Sequence, residues 1–185
     1  MKLLIASDIH GAAAWCKKLM SAIEQEQPDR VLLLGDLLYH GPRNDVPADY
    51  APREVIAMLN SIATQVVAVR GNCEAEVDQM VLDFPCLAES AVILDSTAKG
   101  NLHELFLTHG HIWGAGRDNS IDRLPPLPAH TSLVYGHTHI KANEASAKRP
   151  DLWLFNPGSI GIPKDGSHSY GLYANGHFEH RILND

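Results

Sequence analysis

The chain has 185 residues, 45% of them hydrophobic, which is enough for one domain with a packed core and argues against disorder. Its formal charge of −7 counts against an extended nucleic-acid-binding face, although a bound metal would still let a small anionic substrate approach. Three irregularly spaced cysteines, Cys16, Cys73 and Cys86, fit a reducing compartment better than a disulfide framework. No apolar run is long enough to span a bilayer and the N-terminal run is too short for a secretory signal, so the expectation is a cytoplasmic protein without a membrane partner.

In chain order, Lys2–Ser7 is a short apolar run that leaves into Asp-Ile-His-Gly and reads as a buried strand. Residues 12–27 read as a helix closed by Pro28, and Arg30–Asp36 as a second buried strand. A long loop follows to Ala51, marked by prolines, Gly41 and Asn44. Pro52 opens a helix to about Ala63, and QVVAVR is the third strand. Strand and helix alternating this way imply parallel pairing through right-handed crossovers. Farther on, Ala91–Asp95, His103–Gly110, Ser132–His139, Leu152–Ser159, Ser169–Ala174 and His177–Leu183 read as strands, with Asn175-Gly176 a hairpin turn between the last two. Residues 114–128 read as a loop with room for a short helix. So many strands exceed one sheet, so the expected fold is a single α/β domain over 1–185 with two stacked sheets.

The strand ends carry the chemistry. They deliver Asp8-Ile9-His10, Gly35-Asp36, Gly71-Asn72, His109-Gly110-His111 and Gly136-His137-Thr138-His139. In parallel α/β sheets ligands bind at the carboxyl ends of strands, so these residues can converge. Each alone has a plain structural reading: a turn Asp, a turn Asn, a polar strand end. Five strand ends together, four with a ligand-type residue beside glycine, are hard to obtain by chance. Carboxylates, an amide oxygen and several imidazoles suit Mn, Fe, Zn, Ni or Co, and exceed one tetrahedral site, which implies a pair of ions.

This pattern, with His40–Asn44, Arg70–Cys73 and Asn156–Ser159, resembles the calcineurin-like metallophosphoesterase superfamily over nearly the whole chain, and within it the small bacterial YfcE-type phosphodiesterases. The resemblance implies a four-layer α-β-β-α sandwich of two mixed sheets flanked by helices. It implies that Asp8, His10 and His139 hold one divalent ion, that Asn72, His109 and His137 hold a second, and that Asp36 bridges them. Two ions, Mn²⁺ foremost, would supply a bridging hydroxide that attacks a small phosphodiester. The readings left beside it are a phosphomonoesterase or nucleotide hydrolase of the same superfamily and a non-catalytic, retromer-like scaffold, and self-association into a homo-oligomer stays open. One departure stands out. The residue after Asn72 is usually a histidine that assists the leaving group, and here it is Cys73, a weak hydrogen-bond donor. Cys73 and His111 are therefore the two candidates for a catalytic role. Arg43 and Asn44, in the long loop, are candidates for contact with phosphate.

Overall fold

The computed structural model describes residues 1–96 and 102–184. Two five-stranded mixed sheets stack face to face, as expected, with the helices flanking the outer face of the first. The first has β1 (Lys2–Ala6), β2 (Arg30–Leu33) and β3 (Val66–Ala68) in parallel, with α1 (Ala13–Glu26) and α2 (Pro52–Asn60) in the crossovers. The short helix α3 (Glu76–Val81) follows β3, and Asp78 caps its start by accepting the Ala75 amide N–H at 2.8 Å. The second sheet contains β4 (Ser90–Asp95) and β5 (His103–Thr108). After a two-stranded ribbon of β6 (Gly114–Ala115) and β7 (Asp122–Arg123), it continues with β8 (Ser132–Val134), β9 (Ala142–Ala145) and β10 (Trp153–Asn156). The chain returns to the first sheet through β11 (Ser169–Ala174) and β12 (His177–Ile182). The orders are β12-β11-β1-β2-β3 and β4-β5-β8-β10-β9.

The apolar runs become strands because both their faces are covered. Leu4, Ala6, Val31 and Leu33 face α1 and α2, while Leu3, Ile5, Leu32 and Leu34 meet Leu105, Leu107, Val134 and Phe155 between the sheets. α1 starts on Ala12, which has no capping side chain. Asp49, from the long loop, supplies the cap by accepting the Ala14 amide N–H at 2.8 Å. Over the outer face of the second sheet the cover is irregular chain carrying Leu124 and Leu127, packed on Leu133, Tyr135 and Leu154. The room left for a short helix within 114–128 is taken instead by the β6–β7 ribbon and extended chain. Its prolines, at 125, 126 and 128, deny a helix its amide donors. Two elements escape sequence reading: β9, whose ANEA has no periodicity, and α3, which is only six residues long.

The parallel strands β1, β2 and β3 of one sheet and β5 and β8 of the other end on the same side. Loops joining them cross between strand ends: Asp8 N–H donates to Gly35 O at 3.0 Å, His10 N–H to Asp36 O at 2.9 Å and Gly136 N–H to His109 O at 2.9 Å.

Candidate metal centre

Backbone conformation is the first sign of a built site. Asp8, His10, Asp36, His137 and His139 all have φ between 52° and 67°, the left-handed region that side chains other than glycine rarely adopt. Such strain gathers where surrounding structure holds functional side chains in place.

Those side chains are almost fully buried, and they point at one another. Asp8 Oδ2 is satisfied by the Ser7 hydroxyl at 2.6 Å and the His137 amide N–H at 2.9 Å. Its other oxygen, Oδ1, is buried without a hydrogen-bond partner among the described residues and lies 3.2 Å from His139 Nε2 and 3.6 Å from His10 Nε2. The histidines are oriented from behind. His10 Nδ1 donates to Tyr39 O at 2.7 Å, His109 Nδ1 to Leu34 O at 2.7 Å and His139 Nδ1 to Ile162 O at 2.5 Å. A carbonyl can only accept, so each Nδ1 carries the proton and each Nε2 offers its lone pair inward, the arrangement of metal-ligating histidines. His10 Nε2 and His139 Nε2 sit 3.3 Å apart. A bare carboxylate oxygen facing converging lone pairs fits a cation.

Asp36 lies between two such groups. Its Oδ2 is 3.7 Å from His10 Nε2 and 3.4 Å from His109 Nε2. His109 Nε2 is in turn 3.2 Å from Asn72 Oδ1 and 3.2 Å from His137 Nδ1. All seven residues expected to hold metal therefore converge: one set around Asp8, His10 and His139, another around His109, Asn72 and His137, with Asp36 within reach of both. Two glycines make the approach possible. A side-chain carbon on Gly71 would run into Asp36 Oδ1, and one on Gly136 would run into Ser7 Oγ.

The electrostatics follow from this crowding. Burial opposes the charge on Asp8, but His139, His10 and His109 outweigh it and hold the carboxyl well below its usual range. Burial also opposes ionisation of Asp36, which His109 nonetheless brings down to about 2. Burial works against protonated His109, yet the Asp36, Asp8 and Glu74 carboxylates raise it to about 9. Burial and the charge on His109 press His137 down to about 4. Without ions, a proton on His109 balances acids that a dication would otherwise neutralise.

The two candidate catalytic residues fare differently. Cys73 lines the cavity above Asp36, with its amide N–H 2.9 Å from Asp36 Oδ1 and its thiol 3.3 Å from Oδ2. Burial first, and the Asp36 carboxylate next, push this thiol far up, so in the ion-free protein it keeps its proton. His111 packs edge-on against His109, ring centres 5.3 Å apart, and does not line the cavity. Asn44 donates to His40 O at 2.9 Å and so braces its own loop, and Arg43 lines the cavity.

Sequence reasoning missed Glu74. This carboxylate is 4% exposed and collects three amide N–H groups: Asp36 at 2.9 Å, Leu37 at 2.7 Å and Gly71 at 2.5 Å. It thereby clamps the turn after β2 to the turn after β3, and so sets Asp36 against Asn72. Asn156, from the NPGS stretch, does the same for the histidine loop, donating to Gly136 O at 2.8 Å and Thr138 Oγ1 at 3.0 Å. Glu74→Ala should weaken divalent-metal affinity by about 10- to 100-fold, the usual cost of losing a group that orients ligands. It should also lower the unfolding temperature, because three amides lose their acceptor. Metal titration and thermal unfolding would check this; unchanged affinity in the alanine variant would remove Glu74 from the support of the site.

Comparisons with known proteins agree with the geometry. The family model of the calcineurin-like phosphoesterase superfamily domain matches residues 1–176. The chain is 43% identical to the phosphodiesterase YfcE of Escherichia coli K12 over 187 aligned residues, covering all of this chain and 94% of that one. A solved structure of YfcE, described as a phosphoesterase from E. coli, superposes with a TM-score of 0.85 at 40% identity, with both chains fully covered. A structure of an archaeal phosphodiesterase shares the fold, with a TM-score of 0.64 at 19% identity, covering 99% of this chain and all of that one. With its strand ends, its converged ligands and a family match over nearly its full length, the chain belongs to the calcineurin-like phosphoesterase superfamily.

Proposed function

We propose that the protein is a metal-dependent phosphodiesterase that uses two divalent ions, Mn²⁺ first among them. The observation that carries the reading is Asp36 Oδ2, set 3.7 Å from His10 Nε2 and 3.4 Å from His109 Nε2 between two groups of converging donors. The mixed oxygen and nitrogen set favours a borderline transition ion over Mg²⁺ or Ca²⁺. When bound, paired ions of this kind lower the pKa of water toward neutrality and neutralise phosphate charge.

The residues of the chain hold and orient. Asp8, His10 and His139 supply donors on one side, Asn72, His109 and His137 on the other, and Asp36 serves both. Ser7, Glu74, Asn156 and the carbonyls behind the histidines keep these donors from turning away, so little reorganisation is needed when substrate arrives. Cys73 lines the cavity, yet its thiol donates to Asp36 Oδ2. Proton delivery to the departing oxygen is thus the weak point, which favours diesters with good leaving groups. The cavity over the site has a volume of about 430 Å³, the scale of a small-molecule substrate. Free cysteines at 16, 73 and 86 support a cytoplasmic setting, and no described helix is long and apolar enough to cross a membrane.

Stripping the protein with a chelator should abolish hydrolysis of bis-p-nitrophenyl phosphate, and Mn²⁺ should restore it more fully than Mg²⁺. Metal-free protein, verified by elemental analysis, that still hydrolyses the diester would end the proposal.

A further inference from the structure

The cavity is larger than one phosphate group requires, and its lining includes two cations, Arg43 and Lys164, with Asp118 and Asn119. Several other cations of this acidic chain are paired: Lys2 with Glu26, Lys141 with Asp165, Arg149 with Asp151 and Arg181 with Glu179. Arg43 and Lys164 have no side-chain partner among the described residues, although carboxylates stand next to both in sequence, Asp45 and Asp165. Asp165 is turned away and engaged by Lys141 through its ammonium at 2.7 Å and its amide N–H at 2.7 Å.

Both cations sit on chain that is tied to the metal centre. The Lys164 amide N–H donates to His139 O at 3.0 Å. Arg43 sits in a tight loop closed by Asn44 N–H to Gly41 O at 3.3 Å and by the Asn44 side chain to His40 O. Gly41, at φ 79°, packs closely on the Cys73 thiol, which a side-chain carbon would meet at 3.2 Å, so this loop lies against Cys73. Asn119 donates to His137 O at 3.5 Å, which keeps Asp118 and Asn119 close to His137.

We propose that Arg43 and Lys164 form a subsite for a second phosphate group, carried on one arm of the diester. The inference rests on the phosphodiesterase reading and refines it to a substrate class: an asymmetric phosphodiester with one arm ending in a phosphate monoester. A phosphate monoester carries about −1.5 to −2 charges at pH 7 and can satisfy both an arginine fork and a lysine point charge. The other arm lies toward Asp118 and Asn119, where a hydroxyl-bearing group finds hydrogen-bond partners and an anion meets a like charge.

Three substrates separate the possibilities for the Mn²⁺-loaded protein: bis-p-nitrophenyl phosphate, thymidine 5′-(p-nitrophenyl phosphate), and the same thymidine ester bearing a 3′-phosphate. The 3′-phosphate should raise kcat/KM by about tenfold, through KM, the scale of two exposed charge contacts. The advantage should shrink with added salt. It should vanish in the Arg43→Ala/Lys164→Ala double variant, whose relative rates on the other two substrates should not change. Equal kcat/KM for the two thymidine esters in the wild type would overturn the subsite while leaving the phosphodiesterase intact, as would an advantage that survives in the double variant. A uniform loss on all three substrates would place the cations on the scissile phosphate and overturn it too. If the loaded protein hydrolyses none of the three, the phosphodiesterase reading itself fails and the subsite with it.

Discussion

Asp36→Ala should remove more activity than the loss of any ligand confined to one ion, by a factor above the roughly 100-fold that removal of an orienting group costs. The reason is position. Asp8 and His139 serve one side of the centre and Asn72 and His137 the other, whereas Asp36 Oδ2 is close to His10 and to His109 at once. Its second oxygen accepts the Cys73 amide N–H, so the same side chain also holds the turn that presents Asn72. Removing it therefore takes a donor from both ions and loosens a third ligand. Metal stoichiometry, thermal stabilisation by added Mn²⁺ and diester hydrolysis should be compared for wild type, Asp36→Ala and Asn72→Ala. The expected result is near-complete loss of the Mn²⁺-dependent rise in Tm for Asp36→Ala and partial loss for Asn72→Ala, since only binding to the folded state stabilises it. Two ions per chain and normal turnover in Asp36→Ala would refute the bridging role.

Cys73→His should raise turnover, and raise it more for alkyl esters than for aryl esters. Proton transfer to a leaving oxygen by a positioned group is typically worth about 10²- to 10⁴-fold, and most when that oxygen is basic. Cys73 lines the cavity, but its thiol is a weak donor aimed at Asp36 Oδ2. An imidazole at this position would be a better acid. The measurement is leaving-group dependence for wild type, Cys73→His and Cys73→Ser, with metal content checked in each. A histidine variant that keeps both ions and gains on no ester would mean that the thiol only fills space. His111 would then be the next residue to change, although its ring faces His109 rather than the opening.

Much of this convergence was legible in the sequence because the residues expected to hold metal end apolar runs. A run such as RVLLLGD announces both a buried strand and the polar residue that must leave it, and the turn glycines mark where backbones approach. Asn175-Gly176 likewise announced its hairpin, and both residues adopt the left-handed conformation that such a turn demands. Glu74 was not legible. It stands in an acidic stretch, EAEVD, with no apolar periodicity to mark any of it as buried, and only the meeting of two distant turns makes it a buried acceptor. β9 was missed for a similar reason: ANEA has no periodicity of its own and is a strand because Trp153–Asn156 pairs with it. The left-handed backbone at Asp8, His10, Asp36, His137 and His139 leaves no composition signal, since it is imposed by tertiary packing. The cation rim falls between these cases. Arg43 and its loop were visible, whereas Lys164 lies in a polar segment and joins the site only through His139 O.

The pairing of β1 with β11 bears on how the protein is made. Lys2 lies opposite Ala174 and Ile5 opposite Gly171, so the strand that leads to Asp8 and His10 is flanked on one side by a segment synthesised well over a hundred residues later. Ser159, Ile160 and Gly161 further bind the backbone around Asp8, and His139 needs Ile162 O behind it. A nascent chain therefore cannot hold its metal ligands in place until residues near 160–174 have left the ribosome. At about 5–20 residues per second, Asp8 and His10 wait about 8–30 seconds for their supports. A ribosome-stalled chain ending before β10 should therefore emerge without bound ions.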